Sequence, residues 1–104
     1  MAVYVDNVLI EWRGKRWCHL MADSLDELHG FAQLLGLRRA WFQDKASYPH
    51  YDISESVRLR ALRLGALHGD KRRMVQCGRS LKLELSDGRL AARHEIGRQL
   101  SFQF

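Results

Sequence analysis

Eight residues of this 104-residue chain are equipped to do chemistry: Asp6, His19, Asp23, His29, Trp41, Gln43, His50 and Asp52. Imidazole and carboxylate are the ligand types that hold zinc, iron or manganese. The same pair serves as general acid and base near neutral pH. His19, His50 and Asp52 are the candidate catalytic residues. Asp6, His29, Trp41, Gln43 and Arg58 are candidate ligand contacts, with the Arg58 guanidinium suited to an anion and the Trp41 indole to a wall. The spacing matches no metal signature, because His19-x3-Asp23 and His50-x-Asp52 are neither His-Glu-x-x-His nor Cys-x-x-Cys. A divalent metal is therefore a cofactor to test for, without an assigned ligand set. Each residue also has a structural reading: Asp23 beside a helix N-terminus, Asp52 as a helix cap, His19 as a core histidine bonded to a carbonyl. Taken together, the group would need a separate explanation for every member, which favours a shared cavity.

Several other chemistries are excluded. No serine sits in a Gly-x-Ser-x-Gly elbow, and neither Gly-x-Gly-x-x-Gly nor a Walker loop occurs. A phosphate would have to rely on Arg, Lys and helix N-termini. Cys18 alternates with His19 and faces the other side of a strand, which disfavours a Cys–His nucleophile pair. Trp41-Phe42 reads first as a hydrophobic plug and second as a base-stacking platform.

The elements that must position these residues follow from periodicity. Residues 2–6 alternate as a strand that ends at Asp6. Residues 8–12 and 16–21 flank Arg13-Gly14-Lys15 and predict a hairpin. Ser24-Leu25-Asp26-Glu27 is a capping box that starts a helix, with Leu25, Leu28, Ala32 and Leu35 on one stripe, His29 on its flank and Gly36 as its stop. Residues 37–51 have no clean period and are rich in aromatics. Asp52 or Ser54 caps a second helix with Ile53, Val57, Ala61 and Leu64 inward and Gly65 at its end. Met74–Cys77 reads as a strand, and so does the alternation Leu81, Leu83, Leu85. Asp87-Gly88 then signals a hairpin, and Leu100, Phe102 and Phe104 a last strand. The expectation is a single α+β domain: a small sheet with two helices packed on one face and a C-terminal β-hairpin extension.

Length and composition set the frame. A chain of 104 residues with 46% apolar residues, 10% aromatics and one proline forms one core and is not disordered. No apolar run is long enough for a bilayer span, and residues 1–7 do not resemble a secretory signal. Two cysteines make neither a disulfide framework nor a zinc site, so a reducing, cytoplasmic setting is the simplest expectation. Residues 1–52 carry six basic and seven acidic side chains, and residues 53–104 carry eleven and five. The second half thus holds a surplus of six positive charges, suited to phosphates, nucleic acid or an acidic protein, or simply to a solvated surface.

The motifs Tyr4-Val5-Asp6, His19-Leu20-x-Ala22-Asp23, Glu27-Leu28-His29-x-Phe31-Ala32, Leu35-Gly36, Trp41-Phe42-Gln43, His50-Tyr51-Asp52 and Leu64-Gly65-Ala66, in this order, resemble the bacterial and phage family called domain of unknown function 4031. The resemblance covers about residues 2–67 and leaves 68–104 as a basic extension. It implies a small cytoplasmic bacterial or phage protein whose motif residues form one unit. It carries no activity over.

Three functions are consistent with these readings. The favoured one is a pocket of His, Asp, Trp and Arg that binds a nucleotide-like or other phosphorylated small molecule, with hydrolysis and metal assistance as its chemistry. The alternative is a non-catalytic basic module for nucleic acid or an acidic protein, as a phage accessory or anti-defence factor. The third is a scaffold that forms a homo-oligomer through an exposed terminal strand.

Overall fold

A computed structural model describes residues 2–96, with side chains described up to residue 87. The elements run β1 (Val3–Val5), β2 (Ile10–Trp12), β3 (Lys15–Ala22), α1 (Leu25–Leu34), a 3-10 turn (Arg39–Trp41), β4 (Tyr51–Ser54), α2 (Glu55–Arg63), β5 (Leu67–His68) and α3 (Lys71–Ile96). The fold is α+β, with a five-stranded sheet and three helices among the described residues. Among the described residues no helix is long and apolar enough to cross a membrane.

β3 organises the sheet. β2 turns into it through Arg13 (φ 51°) and Gly14 (φ 75°), the two positive-φ residues that a two-residue hairpin loop of matching twist requires. β2 and β1 pair antiparallel with successive stretches of β3, at Ile10↔Trp17 and Val5↔Leu20. β4 pairs antiparallel with its other edge, and β5 lies parallel to β1. Residues directly opposite share a face, so the register sorts the side chains into cross-strand rows. One face carries Tyr4–Met21, then His19–Asp52, then Ile10–Trp17–Ser54, then Trp12–Lys15. The other carries Val5–Leu20–Tyr51 and Cys18–Ile53, all fully buried.

The capping box closes α1 as the sequence predicts. Ser24 Oγ accepts from the Glu27 N–H (3.2 Å) and donates to Glu27 Oε1 (2.9 Å). Gly36 at φ 80° ends the helix and lets the Leu37 N–H return to the Ala32 carbonyl (2.9 Å). The N-cap of α2 is Ser54; Asp52 belongs to β4 instead. Arg60 on α2 donates to the Leu35 carbonyl, tying α2 to the end of α1. Leu64 is half exposed, and Leu62 packs against the core in its place.

The C-terminal third corrects the sequence reading. Residues 74–77 and 81–85 are not strands, and Asp87-Gly88 is not a hairpin turn, because all lie within α3. The alternation of Leu81, Leu83 and Leu85 is misleading: Leu81 is buried while Leu83 is exposed. The positions that face the core are Met74, Cys77 and Leu81, at helical spacings of three and four. Asp70 starts the helix by accepting from the Arg73 N–H (2.8 Å). The strand expected at 100–104 lies outside the described residues. α1 and α2 pack on the sheet face that carries Leu20 and Tyr51, and α3 adds a third helix on the face that carries Tyr4 and Met21.

Candidate functional site

The His19–Asp52 row is built where β1 leaves the sheet. Asp6 keeps the register for one more residue, its N–H on the His19 carbonyl (3.3 Å). Its own carbonyl then turns away to accept Arg58 Nε (2.7 Å). The carboxylate takes the vacated place: Oδ1 accepts the His19 N–H (2.9 Å) and Oδ2 lies 2.7 Å from His19 Nδ1. One aspartate thus grips both the backbone and the ring of one histidine. An imidazole that donates from Nδ1 to a carboxylate presents Nε2 as a lone pair, which is the tautomer that ligates metals.

His50 is fixed in the same sense by a different partner. Its Nδ1 donates to the Tyr48 carbonyl (2.7 Å), leaving Nε2 as its acceptor. That Nε2 sits 3.2 Å from Asp52 Oδ1. The rings of His19 and His50 meet edge to face at 4.7 Å. One ligand atom from each of His19, His50 and Asp52 falls within a 4.8 Å span. Ligand atoms gathered this closely repel when all are unprotonated acceptors, unless a proton or a cation lies among them. The His19 and His50 side chains are mostly buried (28% and 14% exposed), and Asp52 is half exposed (47%).

Electrostatics reinforce this arrangement. The hydrogen bond to Asp6 holds His19 above the ordinary imidazole value, against the opposing effect of burial. Burial would raise Asp6, but hydrogen bonds from the His19 ring and backbone outweigh it and hold the carboxyl below its usual value. Cys18, on the far face, is pushed up to about 12 by burial, and Cys77 to about 11. Neither thiol is a ready nucleophile.

The row separates two cavities on one face of the sheet. Towards α3 lies a cavity of about 590 Å³ bounded by Asp6, His19, His50, Lys71 and Met74. On the other side lies a groove of about 790 Å³ that Asp52, Trp12, Trp17, Trp41, Gln43 and Lys15 help to line. α3 presses on the site through Gly78, where a Cβ would come within 2.5 Å of the Tyr48 side chain. Only a glycine lets the segment that holds His50 come so close to the helix.

Most of the sequence-derived residues are gathered here, and some are not. Asp6, His19, His50 and Asp52 form the row. Gln43 is drawn to it by a backbone bond from its N–H to the His50 carbonyl (2.8 Å). Trp41 faces the groove, whereas its neighbour Phe42 packs against His29 and Tyr51. Arg58 is bound to the Asp6 carbonyl and braces the bend of β1. His29 stands apart: its Nδ1 pairs with the Tyr51 hydroxyl (2.9 Å), and Tyr51 projects from the opposite face to Asp52. Asp23 accepts from the Ala2 N–H (3.0 Å), away from the row. Trp12 and Trp17 were not singled out from sequence. The signal was present, since Trp17 is two residues from His19 on one strand and must share its face.

The chain matches a family model described as "Protein of unknown function (DUF4031)" over residues 3–81, which extends past residue 67 into α3 as far as the buried Leu81. No curated protein and no solved structure matches it.

Proposed function

The chain belongs to the DUF4031 family, and we propose from its own geometry that it holds a divalent metal through His19 Nε2, His50 Nε2 and Asp52 and hydrolyses a phosphorylated small molecule there. The observation that carries this reading is the convergence of one ligand atom from each of His19, His50 and Asp52 within 4.8 Å, beside the bonds that tie the His19 Nδ1 to Asp6 and the His50 Nδ1 to the Tyr48 carbonyl. A hydrogen bond from the far ring nitrogen to a fixed acceptor orients a ligating histidine and raises its basicity. Two imidazoles and a carboxylate suit zinc, manganese or ferrous ion. When bound, such an ion supplies Lewis acidity towards a phosphoryl oxygen and a water.

The chain's own residues supply the rest. Asp6 and the Tyr48 carbonyl hold the two rings in place. Lys71, on the wall of the 590 Å³ cavity, offers positive charge to a phosphate. Asp52 is the half-exposed member of the row; with one carboxylate oxygen on the metal, its other oxygen would take the proton of an incoming water.

Calorimetric titration of chelator-treated protein with zinc, manganese and, under argon, ferrous ion tests the reading. One equivalent should bind, and the His19→Ala/His50→Ala double variant should bind none at that site. Wild-type protein that takes up no divalent ion, or a double variant that binds as well as wild type, would refute it.

A second reading draws on α3, whose exposed face carries Lys71, Arg72, Arg73, Arg79 and Lys82. Binding of an acidic partner there without catalysis would weaken steeply with salt and be lost in Arg72→Glu/Arg73→Glu.

A further inference from the structure

The groove beside Asp52 has a composition that the metal row does not explain. Its floor is the pair of rows Ile10–Trp17–Ser54 and Trp12–Lys15, the next two rows of the same face after His19–Asp52. Trp41 reaches in from the 3-10 turn. Trp12 is 59% exposed and Trp41 48%, which is a large amount of indole to leave in water. Each is paired with a cation: the Arg13 guanidinium sits 4.7 Å from the Trp12 ring centre and the Arg38 guanidinium 5.9 Å from that of Trp41. Indole faces flanked by guanidinium groups are the means by which proteins take up unpaired nucleobases and the phosphates attached to them.

We infer that this groove holds the base of a nucleotide unit whose phosphate reaches the His19–His50–Asp52 row. The inference rests on the reading of that row as a phosphate-handling metal site and names its substrate class. Same-face residues on one strand lie about 6.7 Å apart, so Trp17 stands one such step from His19. A ribose spans a step of that size between its base and its 5′-phosphate. Asp52 borders the groove and belongs to the row, so the groove abuts the row at this residue. An apolar peptide would use the indoles but leave Arg13, Lys15 and Arg38 without a role. The nucleotide unit can arrive free or as the end of a single strand; both present the same base and phosphate.

The three tryptophans of the chain all line this groove, so intrinsic fluorescence reports on it alone. Manganese-loaded protein is titrated with adenosine and uridine 5′-monophosphates, with a five-nucleotide single strand carrying a 5′-phosphate, and with ribose 5-phosphate. We expect saturable quenching by the base-containing probes and binding at least tenfold weaker for ribose 5-phosphate, measured by competition. Trp41→Ala should weaken nucleotide binding about tenfold, and Trp12→Ala, at a more exposed position, serves as the second variant. Monophosphates that bind as tightly as the strand identify the free nucleotide as the source; a strand that binds far more tightly, and in a salt-dependent way, identifies the strand end. Absence of saturable quenching by every base-containing probe overturns the inference, as does equal binding of ribose 5-phosphate with both tryptophan variants unaffected. Manganese uptake without nucleotide binding removes the groove assignment and leaves the metal centre. Nucleotide binding that ignores both chelator and His50→Ala keeps the groove and removes the metal reading.

Discussion

His19 and His29 show what the pleat of one sheet does to the same side chain. His19 lies on one face with a carboxylate on Nδ1, a second imidazole at 4.7 Å and a cavity on either side of its row. His29 reaches the other face from α1, where it meets the Tyr51 hydroxyl and the Phe42 ring, and its Nε2 is buried without a hydrogen-bond partner among the described residues. The carboxylate holds the first above the ordinary imidazole value, and burial holds the second below it. Tyr51 and Asp52 are adjacent in sequence and serve the two histidines from opposite sides of β4. Proximity in sequence thus distributes groups between chemistry and packing, and a row across strands gathers them.

The largest expected difference between the faces is in metal affinity. Changing a residue that only orients a ligand costs about 10- to 100-fold in affinity, so removing a ligand itself should cost more than roughly 100-fold. His50→Ala is expected to exceed that loss in a zinc or manganese titration, while His29→Phe stays within about twofold of wild type. A His29 variant that lost metal as completely as His50→Ala would erase the contrast. Asp6→Asn comes next. It keeps the shape of the residue but weakens the hold on the His19 ring, and its affinity should fall in the range of about 10- to 100-fold.

A smaller effect, on stability, tests whether α3 belongs to the site. Gly78→Ala places a methyl group against Tyr48, and overpacking of that kind costs about 1–3 kcal/mol. For a domain of this size each kcal/mol lowers Tm by roughly 4–8 °C. Because Tyr48 also carries the carbonyl that holds His50, metal affinity should drop with Tm. Ser80→Ala, on the exposed side of the same helix, should change neither. If Gly78→Ala lowers Tm and leaves metal affinity untouched, the helix supports the fold without supporting the site.

The N-terminal architecture was legible because its signals are local. A Gly turn, a capping box and a period of two each specify their own element, and Asp6 falls at the end of β1 as the pattern implies. The candidate row was legible as a set of residue types, with His19, His50 and Asp52 named together. The separation of His29 from it was not, because the split between His19 and His29 depends on the pairing of β3 with β4, a contact between distant segments. The C-terminal third misled for a physical reason. Leu81, Leu83 and Leu85 imitate a strand, yet the burial that decides the matter runs through Met74, Cys77 and Leu81. Gly78 looks like a helix breaker until Tyr48 is seen to need the space.

The smallest expected effect is a slope of stability with pH, and here the two histidines pull in opposite directions. His19 titrates above its ordinary 6.5 in the folded protein, so its contribution is full below pH 6.5 and is lost as pH rises through the folded value. His29 titrates below 6.5, so the unfolded chain gains its proton first; its contribution is full above pH 6.5 and is lost as pH falls towards the folded value. Asp6, held below its ordinary 3.8, contributes throughout this range and fails only in stronger acid. Between about pH 5 and 8 the two imidazole terms therefore oppose each other in metal-free protein. Asp6→Asn removes the partner that raises His19, and urea midpoints of that variant should climb more steeply with pH than those of wild type. His29→Phe removes the other term, and its midpoints should fall as pH rises. The slope is the quantity to compare, because each substitution also shifts stability by a constant amount through packing. Parallel profiles for the two variants would mean that the two faces do not differ in how they hold a proton, and the contrast between a chemical and a structural histidine would fail.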